Sequence, residues 1–280
     1  MIDSAQRAAV EKFRRLHDAG CFVLPNPWDA GTAVYLHRLG FEALATTSAG
    51  VAFSRGVSDA TPALPLDDML AHLSEIVRAT PLPVNADFQS GYADEPEDVA
   101  TNVALCVATG VAGLSIEDNT GRAHAPLYEK ELAIERIRAA RAAIDASGIP
   151  VVLTGRCEAW LVDAPNSLGV ALERLVAYAE AGADCLYAPG VRDPVEIAEI
   201  VGAVAPKPVN VLVSKSNHEL SVSRLRDLGV RRVSVGSALA CVAWGAFIRT
   251  AREIAENGSF SGFADAVPFA EINDAFRKAD

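Results

Sequence analysis

The sequence predicts a closed (β/α)8 barrel. Short β-branched or apolar runs alternate with longer segments of helical spacing, and the alternation continues unbroken through eight runs. Eight strands separated by helices form a parallel sheet. The chain has 280 residues, half of them hydrophobic, and one barrel of about 250 residues suits that length better than an open sheet. An open doubly wound sheet is the alternative. It would be favoured by a GxGxxG turn opening an early helix, and the sequence has none.

The elements follow in order. The opening stretch, "MIDSAQRAAVEKFRRLHDAG", has the spacing of an amphipathic helix and lacks a signal-peptide apolar region. The predicted strands cover 22–26, 43–48, 83–87, 112–118, 150–156, 184–189, 208–213 and 232–236. Helical stretches between them include "LDDMLAHLSEIVRA", "EPEDVATNVALCVATG", "ELAIERIRAARAAIDASG", "ALERLVAYAEAG" and "DPVEIAEIVGAV". Three helices run into a glycine turn before the next strand, in "ATGVAG", "ASGIPV" and "EAGADC", as expected where a helix must stop. No linker or low-complexity stretch divides the chain, so residues 1–280 read as one domain. The segment 259–280 follows the eighth βα unit and reads as an extra helix, with Phe263, Phe269 and Phe276 available for packing.

Composition narrows the partners. A formal net charge of −11 without any Lys/Arg run argues against nucleic acid and anionic lipid. No apolar run has membrane-spanning length. The five cysteines (Cys21, Cys106, Cys157, Cys185, Cys241) are scattered and lack CxxC spacing, as expected of reduced thiols in a cytoplasmic protein.

The strands carry the functional signal. Side chains alternate across a strand, so Asn85 and Asp87 share one face of "PVNAD" while Val84 and Ala86 take the other. In the same way Ser115 pairs with Glu117, Thr154 with Arg156, and Asn210 with Leu212. The apolar sets meet the surrounding helices, and the polar sets point into the barrel near the C-terminal strand ends, where barrel enzymes carry their chemistry. One charged residue at a strand end is usually a cap or a solvated edge. Asp87, Glu117 and Arg156 in phase on three successive strands argue for a site. Converging carboxylates suit a hard divalent cation, Mg²⁺ above all, and the arginine can fork onto a substrate carboxylate or phosphonate. His17, His37, His72 and His124 lack ligand spacing and read as ordinary core or surface residues. His218, in the turn after the seventh strand, is within reach of this face. Cys157 alternates away from Arg156, toward helix packing.

The stretches "ATTSAGVAFSRGVSD", "PVNADFQSGYAD", "AGLSIEDNTG" and "LTGRCEAWL", with "LPNPWDAGTA" and "YAEAGADCLYAPGV", resemble the isocitrate lyase/phosphoenolpyruvate mutase superfamily through nearly the whole chain. The resemblance implies a (β/α)8 barrel whose last helix is exchanged between subunits, so a homo-oligomer, dimer or tetramer. It implies a small 2-oxo or 2-hydroxy carboxylate held on Mg²⁺. Asp87 would be a metal ligand, Glu117 would hold metal-bound water, and Asp59 would lie near the metal. Arg156 would contact the substrate carboxylate, assisted by the turn at Thr47, Ser48, Ala49 and Gly50. Asn210 is a further candidate for substrate contact.

Three departures bear on the reaction. Asn85 stands where the family usually has the first aspartate of Asp-x-Asp, which leaves an amide as the remaining metal donor. The cleaving lyases' Lys-Lys/Arg-Cys-Gly-His loop is replaced by "NTGRAHAPLYEKEL", without a cysteine. Pro189 falls where the lyases carry a glutamate after the sixth strand. The expected activity is an Mg²⁺-dependent lyase that breaks a C–C bond next to a 2-oxo or 2-hydroxy carboxylate, leaving an enolate-like charge. A P–C bond enzyme of the phosphonopyruvate type and a catalytically weak barrel that binds a keto acid are the alternatives. Tyr92, His124 and Tyr128 are the candidate proton donors.

Overall fold

A computed structural model describes residues 4–60, 62, 64–216 and 219–277. The chain runs α1 (Ser4–Asp18), β1 (Phe22–Leu24), α2 (Ala30–Arg38), β2 (Leu44–Ala45), α3 (Ser48–Ser54), α4 (Leu66–Ala79), β3 (Val84–Asp87), α5 (Pro96–Ala108), β4 (Gly113–Glu117) and α6 (Lys130–Ser147). It continues through β5 (Val152–Arg156), α7 (Ser167–Glu180), β6 (Cys185–Tyr187), α8 (Pro194–Val204), β7 (Val209–Leu212), α9 (Val222–Asp227), β8 (Arg232–Ser234), α10 (Ala238–Asn257) and α11 (Phe269–Ala275). The eight strands form one parallel sheet in the order β1-β8-β7-β6-β5-β4-β3-β2. The two end strands meet just beyond β1: Ala45 N–H donates to Pro25 O at 3.0 Å and Asn26 Nδ2 donates to Thr46 O at 2.8 Å. The sheet is therefore a nearly closed barrel, as the alternation of the sequence requires.

All eight predicted strands are present. Gly110, Gly148 and Gly182 take φ of 97°, 68° and 109° where the three helices stop, a backbone region that residues with a Cβ rarely enter. Outward-facing Leu114, Ile116, Leu153 and Leu186 join one core with Val103, Ile137, Leu175 and Ile200 of the helices. The inner faces carry the polar Asn85, Asp87, Ser115, Arg156 and Asn210 among a few apolar residues, and these line a cavity at the C-terminal end of the barrel.

Helix α1 decides which end is open. Gln6 Nε2 donates to Val107 O and Val111 O at 2.8 and 3.0 Å, and Arg14 Nη1 donates to Pro150 O at 3.0 Å. These carbonyls precede β4 and β5, so α1 lies across the N-terminal end of the barrel. Its Phe13 is fully buried and meets the Phe22 ring at 6.1 Å. With the bottom plugged, the C-terminal face is the open one.

His17 of α1 gives this plug a pH dependence. Its ring lies edge-on to Phe13 and Phe22. Nδ1 is 2.7 Å from Phe13 O and Nε2 is 3.4 Å from Arg232 Nη1. The partners assign a neutral ring, with Nδ1–H donating to the carbonyl and Nε2 accepting from the guanidinium. Burial, and then the charge of Arg232, lower its pKa to about 3; Arg14 acts in the same direction, while the Phe13 carbonyl and Asp184 oppose it. In the unfolded chain the value is about 6.5. Above pH 6.5 the ring is neutral in both states. As pH falls from 6.5 toward 3, the unfolded chain takes up a proton that the folded chain refuses, and stability drops by about 1.4 kcal/mol per pH unit. Melting curves between pH 7.5 and 5 should show a steeper acid limb for the wild type than for His17→Phe. Equal slopes would remove His17 as the cause.

The segment 259–277 differs from the single extra helix expected. Gly258, at φ 63°, ends α10, a short 3-10 turn follows over Ser261–Asp265, and Pro268 opens α11. A proline fits the start of a helix but interrupts one that arrives from upstream. Phe263 therefore lies in the 3-10 turn, Phe269 begins α11 and Phe276 follows its last residue. Arg38 Nη1 of α2 donates to Asp274 O at 3.3 Å. Most of α10 stays outside the core: only Ala240 is buried, while Val242 and Phe247 are 71% and 61% exposed. Among the described residues no helix is long and apolar enough to cross a membrane.

Candidate active site

Three successive strands end in the charged residues singled out from the sequence. The register places Glu117 beside Arg156, and Asp87 beside Ser115. Arg156 Nη1 is 3.2 Å from Asp87 Oδ1 and 3.2 Å from Glu117 Oε2. Its Nε donates to Glu158 Oε1 at 2.5 Å. Three carboxylates thus hold the guanidinium at two of its nitrogens, an arrangement that a single lysine ammonium does not reproduce.

Asp87 is fixed from the other direction. Its Oδ2 accepts from Ser48 N–H at 2.9 Å, and its own N–H donates to Thr46 Oγ1 at 2.9 Å. Ser48 opens α3, which Thr47 caps by accepting from Gly50 N–H at 3.2 Å. A Cβ on Gly50 would lie 2.6 Å from Thr47 Cγ2 and 3.0 Å from Trp28 Cβ. Only glycine lets the α3 turn sit this close to the barrel mouth.

A cavity of about 180 Å³ opens over these groups. Thr47, Ser48, Ala49, Asp59, Asp87 and Arg156 line its mouth, and Asn85 and Asn210 line it as well. Gly50 is buried one step behind the turn. Glu117 lies beneath, against Arg156, and is 5% exposed. Asn210 is engaged in the barrel interior: its Oδ1 accepts from Arg232 Nε at 3.0 Å and its Nδ2 donates to Ser234 Oγ at 2.9 Å. Asn85 Oδ1 is buried without a hydrogen-bond partner.

Four carboxylates, of Asp59, Asp87, Glu117 and Glu158, surround Arg156. Burial pushes the Glu117 carboxyl well above the usual carboxylate range; Arg156 opposes this, and the charges of Glu158, Asp87 and Asp118 add to it. Glu158 is raised by burial too, against the pull of Arg156. Asp59 is exposed as a residue, but its carboxyl faces the cavity and is raised by desolvation and then by Asp87. Such crowding of negative charge favours protons or a cation.

The candidate proton donors lie elsewhere. The Tyr92 hydroxyl is buried without a partner. His124 is exposed in the loop after β4. Tyr128 donates to Asp94 Oδ1 at 2.5 Å, and Arg136 stacks over its ring at 3.9 Å. None of the three lines the cavity. Arg122 ties the same loop to Asp94 at 3.0 Å, so the loop is drawn toward the β3–α5 connection. His218 lies outside the described residues. Cys157 is fully buried, on the helix side as expected.

Several site residues escaped the sequence reading. Glu158 continues the inward phase of Thr154 and Arg156, and extending that alternation by one step would have found it. Asp118 faces away from the cavity and accepts from Glu158 N–H, Tyr178 OH and Arg174 Nη1 at 2.8, 2.7 and 3.1 Å. It thereby anchors the backbone that presents Glu158. Tyr187 lines the cavity with its ring 5.3 Å from the Arg156 guanidinium carbon. Burial pushes its hydroxyl up to about 12, so it stays a neutral proton-bearing group at working pH. No local pattern marked Asp118 or Tyr187.

The cavity at the C-terminal mouth of this parallel barrel is polar, with Asp59, Asp87, Arg156 and Arg232 in its wall, at the end where barrel enzymes carry their chemistry. The sequence profile of the phosphoenolpyruvate phosphomutase family matches residues 13–255, and the chain belongs to that family. A lyase- or mutase-like protein of Burkholderia cenocepacia J2315 superposes with a TM-score of 0.94 at 47% identity, over 99% of both chains. The 2-methylisocitrate lyase of Escherichia coli is 32% identical over 71% of this chain and 66% of its own length. An oxaloacetate decarboxylase of Rhodopseudomonas palustris is 30% identical over 77% of this chain and 73% of its own.

Family membership raises the question of a divalent cation. Among the described residues no three His, Cys, Asp or Glu side chains are gathered to hold a metal by themselves. Asp87 at the cavity wall, Glu117 behind it and the unpartnered Asn85 Oδ1 are all oxygen donors. They fit a hard cation that keeps most of its water, as Mg²⁺ does.

Proposed function

We propose that the chain is an Mg²⁺-dependent carbon–carbon lyase acting on a small 2-oxo or 2-hydroxy carboxylate. The observation that carries this reading is Arg156, clamped between Asp87, Glu117 and Glu158 beside the α3 turn. Asp87 holds the cation, with Glu117 and Asn85 as supporting oxygens. The cation supplies Lewis-acid stabilisation of oxygen charge beside the broken bond. Arg156 receives the substrate carboxylate and stabilises the same developing charge. Thr47, Ser48, Ala49 and Gly50 form the turn that faces that carboxylate. Asp59 closes the cation side, and Asn210 shapes the cavity wall. Two relatives are named for a lyase and a decarboxylase, which supports carbon–carbon cleavage. A phosphorus–carbon bond enzyme is the second reading, favoured by the matching family profile.

The test is a melting-temperature and NMR product screen of oxaloacetate, pyruvate, 2-oxoglutarate, 2-methylisocitrate and phosphonopyruvate, with and without Mg²⁺. A ligand confined to the native state stabilises it by roughly 2.7 kcal/mol at a hundredfold excess over its Kd. An upward shift that grows with Mg²⁺, with product signals from a carbon acid, is the expected result. Product from phosphonopyruvate alone selects the second reading, binding without product leaves a keto-acid receptor, and no shift with any acid ends the proposal.

The reading includes self-association through the apolar face of α10, since exposed aromatic and aliphatic side chains in such a patch mark an interaction surface. Light scattering on the intact chain should report a multiple of the 29.5 kDa subunit mass. A monomer at micromolar concentration would contradict it.

A further inference from the structure

Breaking a bond beside a 2-oxo or 2-hydroxy carboxylate leaves an enolate-like charge, and a carbon of that enolate must gain a proton before the product leaves. Few groups in the cavity wall have a proton to give. Arg156 and Arg232 keep theirs in proteins. Asp87 is engaged as an acceptor, by Arg156 and by Ser48 N–H. Asp59 and Tyr187 remain among the described residues of the wall. Asp59 is exposed, in exchange with water, whereas Tyr187 is 8% exposed and holds its hydroxyl inside the barrel mouth.

A run of hydrogen bonds with a single direction leads to that hydroxyl. Tyr187 ends β6, and the register places it between Arg156 of β5 and Asn210 of β7. Deeper in the barrel lies Arg232, which can only donate. Its Nε donates to Asn210 Oδ1 at 3.0 Å, and this fixes the amide so that Asn210 Nδ2 donates to Ser234 Oγ at 2.9 Å. The Ser234 oxygen therefore accepts, and its own O–H is left to donate elsewhere. Ser234 lies beside the Tyr187 hydroxyl and favours its phenolate form, as a donor to the phenolic oxygen does. A tyrosine whose oxygen accepts from Ser234 has its own O–H left for the cavity.

We propose that Tyr187 is the catalytic proton donor of this site and that Ser234 positions its hydroxyl. This rests on the lyase reading given above and adds to it the acid that completes the reaction. With oxaloacetate the step balances as follows. The C3–C4 bond breaks, carbon dioxide leaves, and the electron pair of the bond becomes the enolate of pyruvate. The Tyr187 O–H bond then breaks, its proton bonds to C3, and its electron pair stays on the phenolic oxygen. Water returns a proton to that oxygen, and the hydroxide so formed adds to carbon dioxide as bicarbonate. Burial keeps the proton on Tyr187 until an enolate is present, while Arg156 and then Ser234 favour the phenolate that is left. The Arg156 guanidinium carbon is 5.3 Å from the ring centre, so one cation faces both the substrate and its acid.

The experiment is a double-mutant cycle on Tyr187→Phe and Ser234→Ala, with oxaloacetate and 2-methylisocitrate as substrates in Mg²⁺ and an enzyme-free blank. Phenylalanine keeps the ring against Arg156 and removes only the hydroxyl, and an unchanged melting temperature confirms the fold of each variant. For whichever acid the wild type cleaves, Tyr187→Phe should lower kcat by about 10²–10⁴-fold, the usual contribution of a positioned acid, and leave KM unchanged. Ser234→Ala should lower kcat by about tenfold, the worth of one hydrogen bond. In the Tyr187→Phe background Ser234→Ala should cost nothing more, because its effect passes through the missing hydroxyl. A Tyr187→Phe kcat equal to that of the wild type, a loss confined to KM, or a Ser234→Ala loss that persists undiminished in the Tyr187→Phe background would overturn the proposal and leave the lyase reading standing. If the wild type cleaves neither acid above the blank, that reading fails and the role of Tyr187 falls with it.

Discussion

Arg156→Met is expected to destabilise the folded chain by about 3–5 kcal/mol, the usual result of removing one partner from a buried ionic cluster. Glu117 and Glu158 are almost fully buried, at 5% and 2% exposure. Both depend on the guanidinium, at 3.2 and 2.5 Å. Methionine fills much of the volume but supplies neither charge nor donors, so two carboxylates and Asp87 would face one another across a desolvated gap. Protonation is the escape from that repulsion. Both buried carboxyls already have raised pKa values, and the substitution raises them further above their unfolded values. A group whose folded pKa is raised stabilises the fold when protonated, so the deficit should shrink as pH falls from 7.5 toward 5.5. Urea unfolding at both pH values measures this. A loss below about 0.5 kcal/mol at pH 7.5, the range of ordinary surface substitutions, would show that the cluster is not an electrostatic unit.

Asp87→Asn should separate function from stability. The substitution removes one of four carboxylates from around a single arginine, so it relieves repulsion while it gives up an ion pair at 3.2 Å. The amide oxygen can still accept from Ser48 N–H, and the backbone bond to Thr46 is untouched. The melting temperature should stay within a few degrees of wild type, or rise. Turnover of whichever acid is found active should fall by about 10²–10³-fold, the range seen when one preorganised electrostatic group is lost. Mg²⁺ should no longer tighten binding of the acid. The decisive pair of measurements is a melting curve and an Mg²⁺ titration of kcat/KM on the same preparation. Stability lost by several kcal/mol would make Asp87 a structural ion-pair partner, and an unchanged Mg²⁺ response would move the cation elsewhere.

The sequence by itself determined the barrel, because strand–helix alternation is a local property that the backbone obeys wherever the chain goes. It also determined which side chains face inward, since alternation along a strand is fixed by the pleat. Asn85, Asp87, Glu117, Arg156 and Asn210 were legible for that reason, and the family stretches supplied Asp59 and the Thr47–Gly50 turn. Glu158 was within reach of the same rule. Tertiary structure alone decided the rest. Asp118 serves the site through a backbone N–H forty residues away, and no sequence spacing predicts such a contact. The loop after β4 contains two candidate donors, yet Asp94 and Arg136 draw Tyr128 from the cavity. Tyr187 meets Arg156 because β5 and β6 pair in that register. Periodicity is carried by the covalent chain, whereas convergence depends on how distant segments pack, and that information appears only when the chain folds.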